Sequence, residues 1–283
     1  MEFYKDGEEG EERLGIIKGW KDFVEPDNTS NKKDEFGHGS LMARLIMEIC
    51  PSASILIARV AKDTKHLPKC EGNIAQAIKW AREQGADIVS MSFGLPHEND
   101  DIAREINPSD DKGQKKVIFL ASAGNSPDEP EAFPARLPSV ISIYATKRDG
   151  IFLGSNAQRP SDGSKILGTF GDGVPPEIQN EFDKEYRDIC RPGSSIACAV
   201  AAGIGAIMLS YVSLLPDIVP EFNKKDQPVL EKIKSTHGMA TVFRSMAVDK
   251  SGDYWLTPVP FWRNHKGPYD KNRAICVALL EKK

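Results

Sequence analysis

The sequence predicts an α/β fold in which a parallel β-sheet is covered by helices on both faces, a three-layer α/β/α architecture. The first observation is a set of short apolar runs rich in Ile and Val, with lengths typical of strands. Each run is continuous rather than alternating, which is typical of strands buried on both faces. The four predicted strands are Ser54–Val60, Asp87–Met91, Val117–Ala121 and Val140–Ala145.

A helical pattern between the first two strands is the second observation. Within Gly72–Gln84 the apolar residues follow the i, i+3, i+4, i+7 spacing of an amphipathic helix, and Gly85 ends the pattern. A strand, a helix and a second strand in succession predict a βαβ crossover. Repetition of this unit predicts an α/β domain.

Two further predicted helices begin beside residues that can carry chemistry. Leu41–Ile49 has an apolar stripe and ends before Pro51. Ser195–Val212 is apolar on nearly all sides, so we expect it to run through the centre of the molecule. The free N–H groups and the positive dipole end of such helices stabilise negative charge, so both helix starts are candidate site positions.

The remaining segments carry irregular patterns. Asp149–Asp188 is predicted to be rich in loops because glycines and prolines interrupt it. Lys224–Ala247 predicts a pair of helices broken near Gly238, and Asp253–Trp262 predicts an irregular aromatic tail.

Length and composition indicate a soluble globular protein with one large domain, or one domain plus a small appendage. The chain has 283 residues, of which 40% are hydrophobic and 28% are charged, an ordinary globular composition. We interpret residues 1–214 as the core, and residues 215–283 as C-terminal helices and a tail that complete the same domain.

Charge and cysteine usage argue against several function classes. The net charge of -4 gives no electrostatic reason to expect nucleic acid or a membrane surface as a partner, and no stretch approaches the roughly 18 apolar residues of a membrane span. The five cysteines include no Cys-x-x-Cys pair, so we expect no disulfide framework and no bound metal. We also expect no cofactor. No apolar signal segment follows Met1, which predicts a cytoplasmic protein.

Three short blocks supply the parts of a serine hydrolase. Gly37–Ser40 contains a histidine base, Ser122–Asn125 ends in an amide donor, and Gly193–Ala197 contains a serine nucleophile. Taken singly, each block also fits a turn or a helix cap. A nucleotide-binding protein has less support, because neither a G-x-G-x-x-G nor a G-x-x-x-x-G-K-[ST] motif is present.

In this order, the blocks resemble the subtilisin-like serine peptidase (subtilase) family. Phe36–Ser40 resembles the histidine motif, Ser90–Gly94 the segment that lines the substrate cleft, Ala121–Asn125 the oxyanion motif, and Gly193–Ala199 the serine motif. Lys18–Val24 further resembles intracellular subtilase domains of fungal type. The resemblance extends over about residues 15–214 and implies a subtilisin-like α/β/α fold.

The resemblance implies a role for each matched residue. Ser195, favoured over Ser194 by the register of its motif, would attack the scissile carbonyl, and His38 would accept its proton. Asn125 and the backbone N–H of Ser195 would bind the oxyanion. The substrate would be a polypeptide in extended conformation, bound by Ser92, Phe93, Gly94, Ala123 and Gly124.

Two departures from the family pattern concern the serine motif and the triad acid. Ala199 stands where proline is usual, a change that a helix start tolerates. In the family, an aspartate in an Asp-x-Gly-like motif ends the first core strand. Here the residues before His38 contain no apolar strand that ends in such a motif. The upstream aspartates are Asp6, Asp22, Asp27 and Asp34. We therefore expect that the sequence starts late in the domain. The alternative is a catalytically inactive, peptide-binding pseudopeptidase.

Overall fold

The computed structural model describes residues 15–27, 34–108, 115–184, 186, 188–219, 222 and 224–280, and these contain eight strands in two sheets. The smaller sheet has the order β1-β2, and the larger has the order β3-β4-β5-β6-β8-β7. All neighbouring pairs are parallel except β7 with β8. The strands are β1 (Ile17–Asp22), β2 (Ile55–Arg59), β3 (Ile88–Met91), β4 (Ile118–Ser122), β5 (Ile141–Thr146), β6 (Leu167–Phe170), β7 (Ala247–Lys250) and β8 (Asp253–Leu256).

Nine α-helices connect or flank the strands in the described part of the chain. Short 3₁₀ turns also occur at Leu67–Lys69 and Glu231–Lys234. The helices are α1 (His38–Ile49), α2 (Glu71–Glu83), α3 (Asp100–Ile106), α4 (Pro176–Asp183), α5 (Ser194–Ile218), α6 (Gln227–Leu230), α7 (Thr236–Met246), α8 (Pro258–Asn264) and α9 (Pro268–Leu280).

Strand β4 shows how the three layers are formed. Because successive side chains of a strand point to opposite faces, its apolar residues divide between two hydrophobic clusters. Ile118 and Leu120 pack with residues of α5, whereas Phe119 and Ala121 pack with residues of α2 and α3. The parallel sheet is therefore covered by helices on both faces, as predicted, and the fold class is confirmed.

Helix α5 occupies the centre of the molecule, and its composition follows from that position. By length and hydropathy, Ser194–Ile218 is apolar enough to cross a membrane, so the prediction that no stretch approaches such a span is wrong. Slightly more than half of its most apolar window is buried inside the protein, against β3 to β6 and α1. Burial in the core is thus a sufficient reason for its apolar character.

Several sequence predictions failed where the local pattern was short or interrupted. The segment expected to be loop-rich contains β6 and α4, and the expected aromatic tail contains β8 and α8. The break between the C-terminal helices falls at Ser235, whose side chain caps α7 by accepting a hydrogen bond from the Gly238 backbone N–H. Tertiary packing decides these elements: Leu256 of β8 and Phe261 of α8, for example, lie in one hydrophobic cluster with residues of α5 and α7.

An interruption of the sheet between β2 and β3 is the most unusual feature of the fold. The two strands are consecutive in the chain, yet they belong to different sheets. Residues of both strands line one cavity, together with residues of α1, α2 and α5. We call the part of this cavity between Ile55–Arg59 and Ile88–Met91 the inter-sheet slot.

Candidate active site

One cavity of about 1180 Å³ contains most of the side chains that the sequence singled out. It extends from the inter-sheet slot to Ser92–Gly94 beyond the carboxyl end of β3, and we call this end of the cavity the cleft. The predicted residues that line it are His38, Ser92, Phe93, Gly94, Gly124, Asn125 and Ser195. Residues separated by up to 157 positions in the chain are therefore brought to one edge of the sheet.

His38 is the first residue of α1, and the turn before it is built by Asp34. The Asp34 carboxylate accepts hydrogen bonds from the backbone N–H groups of Gly37 (2.8 Å) and Ser40 (2.9 Å). Gly37 has φ +80°, and a Cβ there would lie 2.5 Å from the ring of Tyr186. Only glycine fits this turn, which fixes the point at which the histidine enters the cavity.

The electrostatic environment of His38 favours the neutral imidazole. Burial lowers the pKa of His38 below its ordinary value of 6.5, although the nearby negative charge of Asp34 works in the opposite direction. No hydrogen bond joins the ring to another side chain among the described residues. A neutral imidazole that has no hydrogen-bonded side chain is a proton acceptor whose tautomer is not fixed by a neighbour.

The depressed pKa of His38 predicts a loss of stability in mild acid. The unfolded chain binds a proton at this histidine near pH 6.5, while the folded chain binds it only at lower pH. The free energy of unfolding should therefore fall as the pH drops from about 6.5 towards the folded pKa. Urea unfolding at pH 5 and pH 7.5 should show a smaller difference for His38→Gln than for the wild type. The exposed His237, changed to Gln, is the control. Equal pH dependence of wild type and His38→Gln would contradict the prediction.

Ser195 lies in the first turn of α5 and is tied to the end of β3. Its hydroxyl donates to the backbone carbonyl of Ser92 at 2.9 Å, and the Ser92 hydroxyl donates back to the carbonyl of Ser195 at 3.0 Å. This reciprocal pair fixes the start of α5 against the strand that leads into the cleft. In this arrangement the Ser195 hydroxyl proton is engaged by Ser92 rather than by His38.

Ser194, the neighbouring serine, has a different environment because its side chain is fully buried. Its backbone N–H and its hydroxyl donate to Oδ1 of Asn125 at 2.7 and 3.0 Å. The Gly124 backbone N–H donates to the Ser194 hydroxyl at 3.1 Å. Ser194 therefore acts as a clamp on the Ser122–Asn125 turn, a role that its sequence motif did not indicate.

Asn125 is exposed, and the clamp orients its amide. Because Oδ1 accepts both bonds from Ser194, the Nδ2 group is the free donor of this side chain among the described residues. A Cβ on Gly193 would lie 2.8 Å from Nδ2, so glycine at that position leaves room for the amide.

The segment after β3 supplies an extended edge next to the serine. Ser92 is buried, while Phe93 and Gly94 are half-buried, and a Cβ on Gly94 would lie 2.3 Å from the Cβ of Ala132. Beyond them, Leu95 exchanges backbone hydrogen bonds with Phe133 at 2.7 and 3.0 Å.

Ala123, predicted to bind substrate, does not line the cavity, and that prediction is corrected. Its side chain is fully buried in a cluster with Tyr144 and Ile166. Its backbone is also engaged, because its N–H donates to Ile143 and its carbonyl accepts from Ala132. The next two residues, by contrast, reach the cavity because the chain turns at Gly124, where φ is +120°.

The candidate acids for orienting His38 have other partners. Asp22 ends β1, and its carboxylate accepts hydrogen bonds from Val24, Glu25 and Arg59. Although burial acts to raise it, the pKa of Asp22 lies below its ordinary value because these donors stabilise the charged form. Asp34 caps the turn described above, Asp27 is exposed, and Asp6 lies outside the described residues.

Metal ligation has no visible basis at this site. Among the described residues, no three His, Cys, Asp or Glu side chains are grouped as they would be around an ion. Cys198, within the serine motif, is buried, and burial raises the pKa of its thiol to about 11. This thiol is therefore a packing group and not a candidate nucleophile.

A three-layer α/β/α fold with a serine, a histidine and an amide donor around one cavity belongs to the class of subtilisin-like serine peptidase folds. The Subtilase family profile matches residues 18–221 of this sequence. The chain belongs to the subtilase family. Subtilisin-like homologues indicate serine-type peptidase activity in this family.

Individual relatives agree with this assignment. The chain is 23% identical over 277 residues to the "Subtilisin-like protease het-Q2" of Podospora anserina, covering 90% of this chain and 74% of that protein. A cold-adapted subtilisin-like serine proteinase superposes with a TM-score of 0.61 at 20% identity, covering 88% of this chain and 83% of that one. The PatG macrocyclase in complex with peptide gives a TM-score of 0.52 at 19% identity, covering 82% of this chain and 62% of that one.

Proposed function

We propose that this protein is a serine endopeptidase that hydrolyses polypeptides bound in extended conformation. The Ser195 Oγ attacks the scissile carbonyl carbon while His38 accepts the hydroxyl proton, and the protonated histidine then donates it to the leaving amine. Water hydrolyses the resulting ester by the same two steps. The Asn125 Nδ2 group and the Ser195 backbone N–H donate to the oxyanion, since Ser195 lies in the first turn of α5 and Asn125 is hydrogen-bonded to Ser194 beside it.

Support comes from the single cavity that holds His38, Ser195 and the exposed amide of Asn125. The clamp by Ser194 presents a free amide donor, which is the pre-oriented dipole that stabilises a developing charge most effectively. The half-buried edge at Phe93 and Gly94 can pair with an extended substrate by backbone hydrogen bonds. A peptide is bound in the similar fold of the PatG macrocyclase.

The hydrogen bond from Ser195 to Ser92 is a resting arrangement and does not prevent attack. Such a bond contributes about 0.5–1.5 kcal/mol net. Rotation of the hydroxyl to another staggered position frees it for His38. This cost is small compared with the barrier that the site has to lower.

A second function, an inactive peptide-binding module, is favoured by one observation. Among the described residues no carboxylate is hydrogen-bonded to His38. Loss of the orienting carboxylate lowers the rate of serine hydrolases about 10⁴-fold, because the imidazole is not held in the required tautomer. The same cleft would then bind an extended peptide without cleaving it.

Labelling with a fluorophosphonate, followed by site mapping by mass spectrometry, tests the proposed function. We expect slow modification at Ser195 and none in Ser195→Ala. Ser194→Ala is the matched control. It should still be labelled at Ser195, more slowly, because Asn125 loses the hydroxyl donor that helps to orient it.

Each other outcome has a defined meaning. A label on the residue-194 hydroxyl would contradict the assignment of the nucleophile. Complete absence of labelling, together with retained binding of an extended peptide, would support the inactive module instead.

A further inference from the structure

The turn that carries His38 is held from outside α1 by the side chain of Tyr186. This tyrosine follows α4 and is buried. Its hydroxyl donates a hydrogen bond to the backbone carbonyl of Asp34 at 2.5 Å. Its ring lies against Gly37, where a Cβ would come within 2.5 Å of the ring carbons. One side chain therefore contacts the turn at its first residue and at the residue immediately before the histidine.

The position of Tyr186 is itself fixed by α4. Its backbone N–H donates to the carbonyl of Phe182 at 2.9 Å, so the tyrosine continues the last turn of that helix. Both rings pack in one hydrophobic cluster with residues of α1 and of the start of α5. An ion pair adds to this packing, because the buried Arg44 of α1 contacts Glu181 of α4 at 3.3 Å. Helix α4 is therefore docked on α1 by apolar contacts and by charge.

The environment of His38 depends on this turn to an unusual degree. Among the described residues no side chain is hydrogen-bonded to the ring, and the ring of Phe36, at 6.3 Å between centroids, belongs to the same turn. The Asp34 carboxylate accepts from the backbone N–H groups of Phe36 and Gly37 at 3.1 and 2.8 Å. The carbonyl of the same aspartate accepts the bond from Tyr186. Asp34 thus links the tyrosine to the backbone that carries the imidazole.

From these contacts we infer that Tyr186 is a positioning residue for His38, which holds the Asp34–Gly37 turn so that the imidazole enters the cavity where it can accept the proton of Ser195. The inference rests on the proposed function, in which His38 is the proton acceptor. Tyr186 lies outside the lining of the cavity, so it acts through the turn and not by contact with substrate. Placement matters because an error of about 1 Å can lower a rate about 10²-fold.

Tyr186→Phe tests this inference, because it removes the hydrogen bond to Asp34 and keeps the ring against Gly37. In the 283-residue protein we expect a changed NMR chemical shift of the His38 imidazole and faster amide hydrogen exchange at residues 36–40. For inactivation by a fluorophosphonate, kinact should fall about two- to tenfold with KI unchanged, as expected for the loss of one ordinary hydrogen bond.

Tyr144→Phe is the matched control. Tyr144 is also buried, and its hydroxyl also donates to a backbone carbonyl, that of Gln158 at 3.1 Å. It packs in a cluster with Ala123 rather than with residues of α1. The control loses the same kind of bond and should lose comparable stability. It should leave the His38 chemical shift and the exchange at residues 36–40 at their wild-type values.

Three results would overturn the inference. They are wild-type imidazole shift and exchange in Tyr186→Phe, equal changes in Tyr144→Phe, and an altered imidazole with an unchanged kinact. The second result would reduce Tyr186 to general packing. A wild type that cannot be labelled at Ser195 would contradict the proposed function alone. The imidazole shift and the exchange rates would then decide the role of Tyr186, since neither measurement requires catalysis.

Discussion

An apolar strand that ends in aspartate, added before Met1, is expected to raise the rate of phosphonate labelling at Ser195 by up to about 10⁴-fold. A strand parallel to β2 and β3 would end at the carboxyl edge of the sheet, where His38 lines the cavity. A carboxylate at that point would fix the histidine tautomer and stabilise the imidazolium that forms during attack. The measurement is the second-order labelling rate of the extended and unextended proteins.

Asparagine in place of that aspartate is the matched control. The added strand still fills the inter-sheet slot and pairs with the edges of both sheets, but its asparagine brings no charge to His38. We expect this version to gain stability and to keep the slow labelling rate. The carboxylate should also raise the pKa of His38, which NMR titration of the imidazole can measure directly. Equal rates for the aspartate and asparagine versions would show that His38 does not depend on an orienting anion.

Asn125→Ala is expected to lower the labelling rate of the extended protein by about 10²–10³-fold. The amide Nδ2 group is the donor that the substitution removes, and a pre-oriented donor stabilises the negative charge that develops on the oxyanion. The residue is exposed, so its side chain makes little contribution to core packing. The measurement is the labelling rate of the variant against its parent.

Asn125→Asp separates the two roles of this side chain. An aspartate keeps the oxygen that accepts hydrogen bonds from Ser194, but it has no N–H to donate to an oxyanion. If Asn125 acts as the oxyanion donor, the alanine and aspartate variants should both be slow. A rate for Asn125→Asp close to that of the parent would show that the amide only positions the Gly124 turn.

The core strands and the site motifs could be predicted from the sequence because their signals are local. β2 to β5 are short continuous apolar runs, and the predicted boundaries fall within one residue of those observed. The prediction missed β1, whose sequence Ile-Lys-Gly-Trp-Lys-Asp mixes lysines with apolar residues. That strand forms because its backbone pairs with β2, and because the buried Asp22 carboxylate binds Arg59 at 2.8 Å.

The site shows the same division between local and distant information. The sequence indicated Ser195 and Asn125 by motif, but gave no sign that Ser194 clamps the amide from 69 positions away. It also grouped Ala123 with the cleft, although that side chain turns into the core. A motif specifies which residues are adjacent in the chain, whereas the turn at Gly124 decides which of them face the cavity.

By itself, the sequence determined the family, the fold class and the types of reactive side chain, since these depend on local patterns and on the order of motifs. Only the tertiary structure decided that Ser195 is held by Ser92, that no carboxylate among the described residues is hydrogen-bonded to His38, and that the sheet is interrupted beside it. Hydrogen bonds and strand pairing join residues that are distant in the chain. Their partners are chosen by the packing of α5 against the sheet, and no short stretch of sequence carries that information.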